Sequence, residues 1–208
     1  TAKAVAEELG FMYLDTGAMY RAVTLAVLEK NISLTHDYDI KSFLASLDLN
    51  ILYLEKTLVI ELDQVDVTKH IRDPKVTAKV SEVSALPSVR KIMVKFQRKL
   101  ASDKDCIVEG RDIGTVVFPD ADLKFYMIAD SSIRAERRKK DLFKLGKNKD
   151  IDELETEIKN RDRKDSTRVH SPLSKAEDSI IIDTSHLDFY EQVNIIVEKI
   201  KTEQKGKT

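Results

Sequence analysis

Four short clusters of arginine, aspartate, glycine and hydroxyl residues carry the groups that could do chemistry in this chain. In the first, Asp15, Thr16 and Gly17 form a turn after a short apolar run, and Arg21 follows one helical turn later. A helix beginning at this turn would offer free N–H groups, a hydroxyl and a guanidinium to an anion. The pattern predicts a phosphate cradle, and a helix cap with a surface arginine is the alternative interpretation.

The second cluster runs from Glu109 to Thr115, directly after an apolar strand. Its glycines allow a close approach of the backbone to a ligand, Arg111 can grip a phosphate, and Asp112 can accept hydrogen bonds from an amino group. An arginine–aspartate ion pair within a structural turn explains the same residues.

The third and fourth clusters are helical and basic. Arg134, Arg137 and Arg138 share a face of a segment that continues to Lys149, and such a segment could be a mobile lid over phosphates or simply a solvated charged surface. In the fourth cluster Arg161, Asp165 and Arg168 lie at i, i+4 and i+7, so a helix would present them together. They could hold a ribose and a phosphate, or form a surface ladder of ion pairs.

The elements that must position these clusters alternate between strand and helix. Continuous apolar strands at 106–109, 123–128 and 180–182, each flanked by helical patterns, predict an α/β fold with a parallel sheet buried on both faces. Residues 37–84 differ, because their short β-rich runs leave no room for crossover helices and predict a small antiparallel insertion. A helix is expected to begin at Pro87, and residues 202–208 are expected to fray.

Composition and charge argue against several classes of protein. A net charge of −1 gives no overall attraction to nucleic acid or membrane, and no apolar run is long enough to span a bilayer. Cys106 is the only cysteine, and the four histidines lack zinc-like spacing, so neither a disulfide nor a structural metal site is expected. We therefore expect a cytoplasmic monomer without nucleic-acid or membrane partners.

In order and spacing together, the clusters resemble the bacterial cytidylate kinase family of P-loop nucleoside monophosphate kinases over nearly the whole chain. The segments that carry the resemblance are Leu14–Arg21, Gly110–Ala121 and Ile158–Asp165, and the β-rich insertion is similar as well. The resemblance implies one nucleoside monophosphate kinase domain over 1–208, with a nucleotide-binding insertion at 37–84 and a lid at 131–150. It also implies transfer of a phosphoryl group from ATP to CMP, with Mg²⁺ accompanying ATP.

The resemblance assigns roles to individual residues. Those expected to bind the acceptor nucleotide are Arg21, Arg111 and Arg168 at the phosphate, Ser81, Arg90 and Asp112 at the cytosine edge, Arg161 and Asp165 at the ribose 2′-hydroxyl with Thr16 nearby, and Asp15. Arg134, Arg137 and Arg168 are the expected catalytic arginines. No nucleophile and base pair is needed, because the CMP phosphate is already ionised and catalysis consists of positioning and charge neutralisation.

One departure from the family pattern is serious. A P-loop kinase needs a glycine-rich loop with Lys and Ser/Thr for the ATP phosphates, and the 208 residues contain no such motif. In the family this loop precedes the helix that Thr1–Leu9 resembles, so the N-terminal strand and loop are expected to be missing from this chain, which would then be inactive by itself. A UMP kinase or other small-molecule kinase, and a non-catalytic nucleotide-binding module, remain alternatives, and the relative use of CMP and dCMP stays open.

Overall fold

A computed structural model describes residues 1–54 and 57–206. Eight α-helices and seven strands occur in these residues, together with a 3₁₀ turn and a π-helical turn. In chain order they are α1 Ala2–Leu9, β1 Met12–Asp15, α2 Thr16–Glu29, α3 Asp37–Ser46, β2 Leu49–Leu54, β3 Thr57–Leu62, β4 Val65–Asp66, a 3₁₀ turn His70–Arg72, α4 Pro74–Ala85, α5 Pro87–Ala101, β5 Cys106–Glu109, a π-helical turn Ile113–Val117, β6 Phe125–Ile128, α6 Ser131–Lys144, α7 Ile151–Thr167, β7 Ile180–Asp183 and α8 Phe189–Gly206.

The parallel strands confirm the predicted α/β class. β1 pairs in parallel with β5, and β6 pairs in parallel with β7, while helices flank both pairs. Within residues 1–54 and 57–206 no strand pairing joins the two sheets. The expectation that every strand is buried on both faces is wrong for the second sheet: Met127, Ile128 and Ile181 are exposed, because each of these two strands has a partner on one side only.

The β-rich insertion forms as predicted. β2, β3 and β4 make an antiparallel meander, and the inward side chains of Ile51, Ile60 and Leu62 are buried. They join a hydrophobic cluster with Met19 and Val23 of α2, a helix that is buried on most of its surface. The insertion therefore packs on α2 and shares its core.

Helix α4 at the end of the insertion was not predicted, although the sequence contains its signals. The Asp73 carboxylate caps the helix by accepting a hydrogen bond from Lys75 N, and Pro74 occupies its first turn. Val76, Val80 and Val83 follow at helical spacing and are buried. The neighbouring helix α5 begins at Pro87, as expected.

Two hydrophobic clusters make up the interior. One surrounds α2, the insertion, α4 and α5; the other packs α1 and α8 around β7. β5 contacts both, because successive side chains of a strand point to opposite faces: Val108 packs against the first cluster and Ile107 against the second. Strand β5 thus lies between the two hydrophobic clusters.

The chain terminus differs from the prediction. α8 continues to Gly206 instead of fraying from Thr202, because Lys, Glu and Gln are good helix formers and the Thr202 hydroxyl donates to Glu198 O at 2.8 Å. Residues 207 and 208, also expected to fray, lie outside the described residues. Across the described ranges, none of the helices combines the length and apolar character needed to cross a membrane.

Candidate functional site

The first two clusters meet at the carboxyl ends of β1 and β5. The parallel register places Asp15 beside Glu109, so the residues that follow the two strands emerge at one edge. The Thr16 hydroxyl donates to Glu109 O at 2.7 Å, and Asp15 Oδ1 accepts from Ala18 N at 2.9 Å, which caps α2. The open carboxyl ends of parallel strands are where α/β proteins bind ligands.

Gly110 allows this close approach of the two strand ends. A Cβ atom at this position would lie 2.4 Å from the Thr16 hydroxyl oxygen and 2.7 Å from Ile113 Cδ1. A side chain at this position would require the Thr16 and Ile113 side chains to move.

We expect Gly110→Ala to lower the free energy of unfolding by about 1–3 kcal/mol, because the added methyl group overpacks the strand ends. Denaturant unfolding measures the change. Gly206→Ala is the matched control, since a Cβ atom at Gly206 meets nothing within 4 Å. Equal stability of the two variants would contradict the expected crowding.

Asp112 is buried between two arginines. Its Oδ2 accepts a hydrogen bond from Arg90 Nη2, and its Oδ1 lies 3.6 Å from Arg168 Nη2. The side chains of Asp112 and Arg90 are each 5% exposed, and that of Arg168 is 7% exposed. The two guanidinium groups supply the counter-charge that a buried carboxylate requires.

Arg90 is fixed by further contacts. Its Nη1 donates to Ser84 O at 3.2 Å, and its guanidinium lies 5.5 Å from the ring centroid of Tyr20, a cation–π distance. Burial raises the pKa of Tyr20, so this phenol stays neutral. Ser81 lies one helical turn before Ser84 on α4, so the predicted Ser81, Arg90 and Asp112 belong to one neighbourhood.

Asp165 links the fourth cluster to the second. Its Oδ2 accepts from Arg111 Nε at 2.9 Å, whereas Arg161 Nε on its own helix lies 3.8 Å away. Asp165 is buried, and it orients Arg111 while leaving Arg161 Nε without a hydrogen-bond partner. The interaction across 54 positions of sequence is therefore tighter than the predicted one within the helix.

Arg21 points toward the insertion. Its Nη1 donates to Thr77 Oγ1 at 2.7 Å and lies 3.5 Å from Ile71 O. Burial, followed by the positive charges of Arg161 and Arg72, lowers the pKa of Arg21 to about 10, so the guanidinium stays protonated at neutral pH. Arg72 also lies 3.5 Å from Asp15 Oδ2, which ties the 3₁₀ turn to the start of α2.

The site holds more positive charge than its two carboxylates neutralise, because five arginines lie around Asp112 and Asp165: Arg21, Arg90, Arg111, Arg161 and Arg168. Burial is the main cause that lowers the pKa of Arg161 and of Arg168, and neighbouring arginines are the second cause in both cases. Arg161 Nε and Arg168 Nη2 are buried without hydrogen-bond partners. Buried, unpaired guanidinium donors are costly unless an anion binds, so the arrangement fits a phosphate.

The two arginines of the predicted lid occupy different places. Arg134 makes a bidentate pair with Asp162, which joins α6 to α7 beside the fourth cluster. Arg137 donates to Thr184 Oγ1 at 3.2 Å and to the carbonyl oxygens of Thr184 and Leu187, at the carboxyl end of β7. Their catalytic role stays a prediction.

Several residues that shape the site escaped the sequence interpretation. They are the partners of predicted arginines: Thr77 for Arg21, Tyr20 for Arg90, Asp162 for Arg134 and Thr184 for Arg137. Tyr20 and Asp162 are direct sequence neighbours of predicted residues, which is a usable signal. Thr77 and Thr184 have no such signal in the sequence, because their contacts with Arg21 and Arg137 depend on how distant elements pack.

A resident metal site is a separate question. In the described part of the chain, no three His, Cys, Asp or Glu side chains are grouped closely enough to hold a metal ion. The protein side chains therefore do not fit a dedicated magnesium cage. Mg²⁺ commonly binds through substrate phosphates and water with few protein ligands, so it would arrive with a nucleotide.

An α/β fold with arginines grouped near the carboxyl ends of its parallel strands is typical of enzymes that bind phosphate groups. The cytidylate kinase family model matches residues 1–202. The chain belongs to the cytidylate kinase family.

Individual relatives agree with the family match. A cytidylate kinase of Carboxydothermus hydrogenoformans is 44% identical over 199 residues, which cover 96% of this chain and 90% of the relative. A cytidylate kinase of Caldanaerobacter subterraneus subsp. tengcongensis is 46% identical over 205 residues, covering 99% of this chain and 90% of the relative. One from Acholeplasma laidlawii is 46% identical over 200 residues, covering 96% and 88%. The resemblance inferred from the sequence motifs is confirmed.

Proposed function

We propose that this protein transfers the γ-phosphoryl group of ATP to CMP, giving CDP and ADP, and that the site described above holds the acceptor CMP. The observation that carries the proposal is the set of buried arginines with unpartnered N–H groups beside the buried carboxylate of Asp112. The arginines supply a phosphate site, and the carboxylate supplies an acceptor for an amino group. CMP has both complementary groups.

The cytosine edge is read by Asp112 together with Arg90 and Ser81. Cytosine presents an amino donor where uracil presents a carbonyl oxygen, and a buried carboxylate accepts from the former and repels the latter. Arg90 holds the carboxylate in place from one side. This arrangement favours CMP over UMP.

The phosphate of CMP lies among Arg21, Arg111 and Arg168 in this proposal. The ribose lies near Arg161 and Asp165, with Asp15 and Thr16 at the edge formed by β1 and β5. Arg161 has a free Nε donor for a ribose hydroxyl. dCMP lacks the 2′-hydroxyl and is proposed as a second acceptor, bound through the same phosphate and base contacts.

Catalysis needs no general base, because the CMP phosphate is ionised and its oxygen can attack the γ-phosphorus directly. Arg134 and Arg137, in the proposed lid at 131–150, together with Arg168 neutralise charge on the transferring group, and lid closure excludes water. Mg²⁺ belongs to the ATP substrate in this scheme and neutralises its phosphates.

Calorimetric titration of this protein with CMP, UMP and dCMP tests the acceptor site without requiring turnover. We expect CMP to bind at least tenfold more tightly than UMP, because one well-placed buried hydrogen bond is worth about that factor. Equal affinity for CMP and UMP would refute the proposed base recognition.

The same titration at different pH values tests the phosphate site. A phosphate monoester loses its second negative charge below about pH 6, and a site with excess buried positive charge prefers the dianion. We expect the CMP affinity to fall about tenfold between about pH 7.5 and pH 5. An affinity that stays constant over this range would show that the arginines do not bind the phosphate.

The cytoplasmic location, monomeric state and lack of nucleic-acid partners remain predictions from the sequence.

A further inference from the structure

The segment that carries Asp112 continues into a π-helical turn, Ile113–Val117. The Asp112 carbonyl oxygen accepts from Val116 N at 2.9 Å and from Val117 N at 3.2 Å, so the backbone of Asp112 is part of the turn. Any displacement of the turn therefore moves the Asp112 backbone with it. A single five-residue turn is a weak structure that depends on outside contacts.

Helix α5 holds this turn at both ends. At the start of the turn, Arg90 pairs with the Asp112 carboxylate. At its end, Arg98 Nε donates to Val117 O at 2.8 Å and Arg98 Nη2 donates to Val116 O at 2.8 Å. The two arginines lie eight positions apart on one continuous helix, so the helix fixes the distance between their attachment points on the turn.

Arg98 supplies hydrogen-bond donors to carbonyl groups at the end of the turn. The last carbonyl groups of a helical turn have no partner within the turn, and they need an outside donor. The planar guanidinium offers two parallel N–H donors, which match two neighbouring carbonyl oxygens. Lysine can supply only one point of attachment at a time.

We propose that Arg98 is a positioning residue that sets Asp112 for the recognition of cytosine. The inference rests on the proposed function, in which Asp112 accepts from the cytosine amino group. Arg98 acts through the turn, at a distance from the nucleotide. The Arg111 side chain has a separate anchor, because Asp165 on α7 orients it. Loss of Arg98 should therefore affect base selection more than phosphate binding.

The test is calorimetric titration of CMP and UMP with Arg98→Met in this protein. We expect the dissociation constant for CMP to rise about tenfold, the loss of one well-aligned buried hydrogen bond, while that for UMP changes less than twofold. Arg98→Lys should give an intermediate preference for CMP. Lys95→Met is the matched control, because Lys95 is an exposed basic residue on the same helix, and it should leave both constants unchanged.

The ratio of the CMP and UMP constants decides the outcome, since a merely structural role would weaken both nucleotides alike. An unchanged ratio in Arg98→Met overturns the inference. If circular dichroism shows that Arg98→Met does not fold, the ratio measured for Arg98→Lys decides by the same criterion. If the unaltered protein shows no preference for CMP, the proposed function has failed and this inference fails with it; a preference that survives the loss of Arg98 overturns this inference alone.

Discussion

Replacing Arg168 with methionine is expected to weaken CMP binding about a hundredfold. The free energy of unfolding should change by no more than about 1 kcal/mol. The affinity falls because a buried guanidinium makes charge-assisted hydrogen bonds to phosphate, each worth about 1.5–3 kcal/mol. The stability is preserved because Arg168 lies beside the like charge of Arg90, and burial already lowers the pKa of Arg168. Asp112 keeps its partner Arg90 in the variant.

Calorimetry for CMP and denaturant unfolding without nucleotide measure the two quantities. Arg163→Met is the matched control, because Arg163 is an exposed arginine on α7 close in sequence to Arg168, and it should change neither. A large loss of stability in Arg168→Met would mean that this arginine is structural. Unchanged CMP affinity would remove it from the phosphate site.

Asp112→Asn is expected to have the second large effect, a loss of about 3–5 kcal/mol of unfolding free energy. Removing the carboxylate leaves Arg90 and Arg168 buried side by side without a counter-charge, which is the costly way to break a buried ion pair. The amide also donates where the carboxylate only accepts, so the preference for CMP over UMP should disappear. Urea unfolding and the two titrations measure these changes.

A double variant separates the charge effect from a general loss of packing. In Asp112→Asn combined with Arg168→Met, only one guanidinium stays unpaired, so the double variant should be more stable than Asp112→Asn alone. If the stability changes of the two single substitutions add up to that of the double variant, Asp112 and Arg168 do not interact. The expected non-additive result would identify the shared charge as the source of the instability.

Local patterns allowed much of the fold to be predicted. The stripe on α2, the proline at the start of α5 and the closely spaced strands of the insertion are short-range signals, and the structure contains all three elements. The missed helix α4 had equally local signals in Asp73, Pro74 and its buried valines. The prediction of fraying from Thr202 is wrong because polar residues can still favour helix, as the Lys, Glu and Gln residues after Thr202 do.

The candidate site could be predicted as a set of residues and only partly as an arrangement. Asp165 illustrates the limit. Sequence spacing pairs it with Arg161, but folding brings Arg111 closer, at 2.9 Å against 3.8 Å. Which of two arginines a carboxylate selects depends on the relative placement of α7 and the turn after β5, and this placement follows from long-range packing that no local pattern contains. The partners of Arg134 and Arg137 were out of reach for the same reason.

The shared core of the insertion and α2 limits how freely this part of the chain can be exchanged between relatives. Ile60 and Leu62 are buried with Met19 and Val23, and Arg72 reaches Asp15 at the helix start. An insertion transplanted from another protein would meet a helix face shaped for different side chains. Modular grafting should therefore succeed only when α2 travels with it, and amide hydrogens in both elements should exchange with solvent deuterium as one cooperative unit.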